Sequence, residues 1–472
     1  VTITVGNVFA TTDGPETGAI GRLLRYRKPG YIFSEAFRAH NWDGYTRLLT
    51  KSGRFPAGLV PYILSRLASA PEINDTRVRP APCDAIAPAS LSVALAAHQE
   101  AAVSAGYREG RGIVEHSVGA GKSYVLAELV RRCGVPALVL VHTKELLRQN
   151  FDVLREVLDI PNLIGWIGDG RWEPNWITVC TYQSINAAMR HYPKDVKRFM
   201  AQVQNVLVDE CQFAVSPTYQ KVLDMLVEAY YRFGLSATPF RSDDDETFFK
   251  VSGQLGPVLS KFGPKEGVEV GRLVPADIYV VDYGAVDNGL PWPRQYEVGL
   301  VEHHERNRII SEIVASAPRP ILVLTERLAH GEQLKATIEQ ALLDEPVKNW
   351  GTLGYINGTR TSKFRADMLK LFSNGSTPIL ISSIILDVGV NLPDIRTLVL
   401  AGGGKAQHRL IQRVGRGQRK VEGKSSLIVF DFQDKGKYLG AHARRRAVVY
   451  EREPAYTLYR IGAKEVLEVL RG

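Results

Sequence analysis

The sequence predicts an α/β protein: two tandem RecA-like parallel-sheet domains behind a small basic α/β module. Three observations carry the prediction. Short apolar runs at Ala137–Val141, 177–180, 206–208 and 233–235 alternate with amphipathic stretches at 123–133 and Lys144–Leu158. Parallel strands buried on both faces, with helices between them, read this way. A second set begins near Ile278 and includes Ile321–Leu324, 379–381, Thr397–Leu400 and 426–430. Finally, 472 residues exceed what one hydrophobic core usually organises.

Residues 1–85 form the module. The first 80 residues hold eleven Lys or Arg against six acids, over half of the chain's net charge of +9. This balance favours a polyanionic partner, with Arg22, Arg25, Arg27, Lys28, Arg38, Arg47 and Arg54 as candidate phosphate contacts. Trp42, in Asn41-Trp42-Asp43-Gly44, is either a platform for an unpaired base or a core residue above a turn. A Pro/Ala-rich stretch from Pro80 to Pro88 reads as a linker. Residues 86–272 and 273–472 are the two sheet domains.

Several classes are excluded. No apolar run is long enough to cross a bilayer, and residues 1–10 carry no signal-peptide pattern. Cys83, Cys133, Cys180 and Cys211 are scattered without a CxxC pair, against a disulfide scaffold or zinc ribbon and for a reducing cytoplasm. His303-His304-Glu305 has no partner at ligand spacing and reads as a helix start.

The strongest local signal runs from Ile113 to Ser123. A strand enters a loop, Val118-Gly119-Ala120-Gly121, and Lys122-Ser123-Tyr124 opens a helix. Glycines let backbone N–H groups turn around phosphate oxygens, and the helix N-terminus adds a favourable dipole. Lys122 supplies charge to the β/γ-phosphates of a nucleotide, and the Ser123 hydroxyl can ligate Mg²⁺. His116 occupies the position where the common pattern has its first glycine. The alternative is a strand–helix turn without ligand.

Asp209-Glu210 follows an apolar strand about ninety residues later. Two adjacent carboxylates at a strand end are costly unless a cation compensates them. Beside a phosphate site, Asp209 would hold Mg²⁺ and Glu210 would orient and deprotonate a water. Ser236-Ala237-Thr238 ends the next strand and can relay nucleotide state through hydroxyl hydrogen bonds, or simply cap that strand. In the second domain Gln412-Arg413-Val414-Gly415-Arg416-Gly417-Gln418-Arg419 spaces three arginines by three residues. On one helix face they would project together, either onto a γ-phosphoryl group or onto nucleic-acid backbone.

These segments, in order across residues 91–432, resemble the superfamily 2 helicases. The resemblance implies that Gln99 reads adenine, that ATP and Mg²⁺ are the cofactors, and that Gln412, Arg416 and Arg419 complete the ATP site from the second domain. It also places the DNA backbone on Thr143 and Lys144, on Thr181 and Gln183, and on Ser382. The segment 387–393, with Asp387, Gly389 and Asn391, would touch both DNA and nucleotide. The tetrad Asp209-Glu210-Cys211-Gln212 departs from the family's usual His or Asp at its end, leaving the relay role of Gln212 open. Gly30-Tyr31-Ile32-Phe33, Phe37-Arg38, Asn41-Trp42-Asp43-Gly44, Arg47-Leu48-Leu49 and Pro56-Ala57-Gly58-Leu59-Val60 look like the N-terminal domain of the UvsW-type phage helicases. The implied activity is ATP-driven remodelling of branched DNA: Holliday-junction migration, fork regression and duplex unwinding, in the cytoplasm of a bacterial host. The alternatives are a duplex DNA translocase that leaves strands paired, an RNA helicase, and a junction-binding protein regulated by nucleotide.

Overall fold

The computed structural model describes residues 1–13, 17–83, 91–240, 245–284, 289–344, 352–383, 394–404 and 407–471. They form two compact units, Val1–His116 with Gly121–Phe262 and Ser117–Ala120 with Gly263–Gly472.

The first unit is built on an eight-stranded sheet in the order Arg171–Glu173, Ile164–Gly168, Ile177–Thr181, Ala137–Val141, Asn205–Asp209, Tyr231–Ser236, Arg111–His116, Val258–Phe262. Only the first pair is antiparallel, a hairpin about Asp169-Gly170. Its aromatics divide: Trp166 is buried, whereas Trp172 and Trp176 are exposed. Ala137–Val141 and Ile177–Thr181 are buried at every position, as a strand covered on both faces must be. In-register pairing aligns Asp209 with Leu235 and Ser236 with Glu115. Parallel pairing therefore carries the ends of three central strands to one edge, the usual ligand edge of such sheets.

The basic module belongs to the same unit. Its four-stranded sheet runs Arg54–Pro56, Phe9–Thr12, Thr2–Val5, Glu72–Asp75, and a separate ribbon pairs Arg25–Arg27 with Tyr45–Arg47. Ile3, Val5, Phe55, Leu59 and Ile63 share one core with Phe249 of the helix Asp245–Leu255. Tyr26 stacks on that Phe249 at 5.5 Å. Backbones meet directly at Gly58, where a Cβ would lie 2.1 Å from the Ser252 carbonyl oxygen. Arg79 straps the exit strand down, donating to the Tyr231 hydroxyl at 2.9 Å and the Tyr107 carbonyl at 2.7 Å. The module and the first sheet domain, expected as separate bodies, thus pack as one. The division after Phe262 precedes the one expected after residue 272, because Val258–Phe262 is the last strand of the first sheet.

The second unit carries a seven-stranded parallel sheet: Leu353–Ile356, Ile379–Ser382, Ile321–Leu324, Thr397–Leu400, Leu427–Phe432, Ala276–Asp282, Tyr456–Gly462. A charge quartet lies buried within it. Arg446 donates to Asp431 at 2.8 Å and to Asp434 at 3.1 Å, and Arg306 donates to Asp434 at 3.2 Å. The Tyr450 and Tyr283 hydroxyls complete the carboxylates at 2.7 and 3.1 Å. Two cations against two anions keep the group neutral, which burial requires.

One sequence expectation fails here. The helix Gln407–Gly417 presents Arg413 and Arg416, but it ends before Arg419. Gln418 pairs instead with Val274, through its backbone at 2.8 Å and its side chain at 3.0 Å, and Arg419 forms a β-bridge with Leu273. The pull of that segment on Gln418 overrides helical continuation, so the three arginines do not share one helix face.

Cys133, Cys180 and Cys211 are buried free thiols and Cys83 is exposed. No helix among the described residues is long and apolar enough to cross a membrane.

Candidate nucleotide and nucleic-acid site

The strand Arg111–His116 delivers the phosphate loop and the helix Lys122–Cys133 leaves it. Gly119 and Gly121 both have positive φ, 86° and 79°, a conformation open to glycine without strain. Gly121 is doubly constrained, because a Cβ there would sit 2.2 Å from Gln99 Nε2. Buried Gln99, from the helix Ala97–Glu109, spans the two segments: its amide donates to the Gly121 carbonyl at 3.4 Å and accepts from Ala96 N at 2.8 Å. Lys122 Nζ donates to the His116 carbonyl at 3.0 Å, which holds the ammonium back over its own loop. Ser123 and Tyr124 open the helix, with Tyr124 exposed.

His116 explains its own departure from the glycine pattern. Its ring is buried and its Nε2 lies 2.8 Å from the Ser260 hydroxyl, joining the phosphate loop to the neighbouring edge strand. Burial, His98 and Lys122 lower its pKa to about 3, so the ring is neutral at working pH.

Asp209 ends its strand with Oδ2 accepting from Asn150 Nδ2 at 2.9 Å and Oδ1 from Glu210 N at 3.0 Å. Burial, followed by the adjacent Glu210 charge, raises its pKa to about 6, against the lowering influence of Asn150 and Lys122. A carboxylate disfavoured in this way suits a cation. Among the described residues no three His, Cys, Asp or Glu side chains gather around a common metal position. A divalent ion here would therefore draw on Asp209, the Ser123 hydroxyl and ligand phosphates. Glu210 is in the left-handed region at φ 52°, a conformation uncommon for a non-glycine residue.

Gln212, the atypical residue of the tetrad, is hydrogen-bonded at both ends of its amide. Its Nε2 donates to Glu210 Oε2 at 2.9 Å and its Oε1 accepts from Ser236 Oγ at 2.6 Å. Ser236 Oγ in turn accepts from Thr238 N at 2.9 Å, across Ala237. A continuous hydrogen-bonded line thus joins the acid pair to the end of the next strand, and an amide serves it because it donates at one end and accepts at the other.

The residues proposed for DNA backbone fare unevenly. Thr143 accepts from Leu146 N at 3.2 Å as the N-cap of Lys144–Leu158, and Lys144 is ion-paired with Asp169. Gln183 donates to the His142 carbonyl at 3.0 Å, and His142 stacks on Phe213 at 3.8 Å. Thr181 is buried with its hydroxyl 2.7 Å from Ser184, and Ser382 is buried with its hydroxyl donating to the Ser383 carbonyl at 2.8 Å. Both lie at ends of fully buried strands, where their hydroxyls satisfy local backbone or side-chain groups rather than face solvent. In the module Arg47 is ion-paired with Asp43, Arg38 donates to the Ile32 carbonyl at 3.3 Å, and half-buried Trp42 donates to the Tyr45 carbonyl at 2.9 Å. Trp42 is thus a turn brace. Asp387, Gly389 and Asn391 lie outside the described residues, and Gln412 lies on the helix Gln407–Gly417. Sequence reasoning missed Asn150 and Ser260, since neither stands in a recognisable pattern. It also missed Glu326, 3.8 Å from Arg413 and wrapped by Gly402 and Gly404.

Two family matches agree with this layout: residues 91–241 with "Type III restriction enzyme, res subunit" and residues 305–421 with "Helicase conserved C-terminal domain". The ATP-dependent DNA helicase uvsW of Enterobacteria phage T4 is 23% identical over 447 residues, covering 87% of this chain and 86% of that protein. A DNA 3'-5' helicase XPB of Kineococcus radiotolerans is 26% identical over 68% of this chain and 57% of its own length. The DNA 3'-5' translocase XPB2 of Sulfurisphaera tokodaii is 24% identical over 74% of this chain and 84% of its own length. The chain spans about half the length of some curated relatives, 49% in a Haloarcula marismortui helicase. Among solved structures, the Type ISP restriction-modification enzyme LlaBIII aligns with TM-score 0.57 at 15% identity, over 80% of this chain and 32% of that one. Two helicase-family segments thus stand in order on the two parallel-sheet domains, and the chain resembles the superfamily 2 helicases, with UvsW among its relatives.

Proposed function

We propose that this chain is an ATP-dependent DNA helicase or translocase that remodels branched DNA. The observation that carries the reading is the line Glu210–Gln212–Ser236–Thr238, which links a candidate general base to the strand end expected to couple hydrolysis to motion. Lys122 leaves the His116 carbonyl for the phosphates. Asp209 and Ser123 would hold Mg²⁺, which would supply charge neutralisation at the nucleotide phosphates. Glu210 accepts the proton of the attacking water. Arg416 and Arg419, with Gln412, are assigned to the γ-phosphate by the resemblance. Because γ-phosphate contacts exist only before hydrolysis, they can give ATP and ADP different preferences for two conformations, the requirement for a motor.

DNA as substrate is supported by the activities for which the relatives are named, and branched DNA is what the resemblance of the basic module to the UvsW-type helicases implies. The similarity to a DNA translocase supports a second reading, tracking along duplex without separating strands. ATPase rates with single-stranded, duplex, forked and four-way DNA and with RNA test both. Branched DNAs should be among the best activators. Equal stimulation by plain RNA would refute the reading, and triplex displacement without strand displacement would favour the translocase.

A further inference from the structure

Phe33 is the most exposed aromatic side chain among the described residues, at 71%, and Ile32 beside it is 50% exposed. Both project from a rigid base. Gly30 turns at φ 73°, and Phe33 N donates to the Gly30 carbonyl at 3.0 Å. The preceding Tyr31 is fixed: its ring meets Phe37 edge-on at 4.8 Å, its hydroxyl accepts from Arg27, and Gly44 approaches so closely that a Cβ would lie 2.6 Å from it.

Cations pack on the residues that carry this apolar tip. The Arg27 guanidinium lies 4.9 Å over Tyr31 and 5.2 Å over Tyr45, and Arg25 lies 4.7 Å over Tyr45. Arg38 donates to the carbonyl of Ile32 itself, and Lys28 is exposed. Asp43 is held by Arg47, and Glu35 opens the short helix that follows. An exposed aromatic ring, with guanidinium groups on the residues that brace its turn, matches a nucleobase flanked by phosphates. Trp42, half-buried and held to the Tyr45 carbonyl through its indole N–H, offers less open ring surface than Phe33.

We propose that Phe33, backed by Ile32, is a wedge that stacks on the base at a DNA branch point while Arg25, Arg27, Lys28 and Arg38 hold the adjoining phosphates. The proposal rests on the reading of the chain as a branched-DNA motor and names the side chain that meets the branch. Its test uses the full chain, with 2-aminopurine at the branch nucleotide of a forked DNA or in the middle of a linear duplex. Wild type and Phe33→Trp should change the fluorescence at the branch and not in the duplex. Phe33→Ala should lose that change and unwind forks about tenfold more slowly, while ATPase stimulated by linear duplex, which presents no branch, stays within about twofold. Wild-type fluorescence and fork rate in Phe33→Ala would overturn the wedge, as would an equal loss of binding to linear duplex. If wild type hydrolyses ATP on DNA but remodels no fork, the motor reading fails instead, and the fluorescence alone judges Phe33.

Discussion

At the scale of single residues, Asp209 and Glu210 show how one dipeptide can hold two roles. Glu210 meets Gln212 through its carboxylate, whereas Asp209 sits deeper against Asn150. Glu210→Gln should reduce ATP turnover by about 10²–10⁴-fold and leave ATP and DNA binding intact, as measured by steady-state hydrolysis and equilibrium binding. Unchanged hydrolysis would remove Glu210 as the base. Asp209 predicts a pH effect whose sign follows from its raised pKa. The folded state favours its protonated form, so this contribution to stability is present in acid and is lost as pH rises through about 6. Without divalent metal, Asp209→Asn should therefore raise the melting temperature at pH 7.5 by about 2–4 °C and make little difference at pH 4. Equal shifts at both pH values would show that the carboxylate is not strained by its surroundings.

At the scale of elements, the strands and loops were legible because their signals are local. The runs at Ala137–Val141, Ile321–Leu324 and Thr397–Leu400 became strands with the expected ends, and Lys144–Leu158 became a helix over its full expected length. The end of the arginine helix was not legible: spacing by three residues says nothing about a competing β-bridge from Leu273, distant in sequence. The same limit applies to Thr181 and Ser382, whose motif positions were readable but whose burial depends on neighbouring strands. Gln212 is the reverse case, an atypical residue whose amide supplies the link that its position required. Ser236→Ala should leave basal hydrolysis near wild type and slow DNA unwinding on the order of tenfold, the worth of one hydrogen bond. An unwinding rate equal to wild type would show that the line does not transmit. Gly58→Ala, which drives a Cβ toward the Ser252 carbonyl, should destabilise the first unit by about 1–3 kcal/mol in urea denaturation.

At the scale of the whole molecule, the uneven charge predicts that affinity for the proposed DNA substrate falls with salt. If Arg25, Arg27, Lys28 and Arg38 each cover one phosphate, affinity should fall roughly 100-fold between 50 and 200 mM salt, as measured by fluorescence anisotropy. Lys28→Ala should flatten that dependence by about one contact. A salt slope indifferent to Lys28 would place the electrostatic grip elsewhere.

The buried quartet in the second unit bears on how such a chain can diverge. Losing Arg446 strands Asp431 without its arginine, and losing Arg306 leaves one arginine against two carboxylates, in either case with an uncompensated charge where water cannot reach it. Drift at these four positions is thus confined to concerted exchange, and a lineage that abandons one charge must abandon its opposite in nearly the same step.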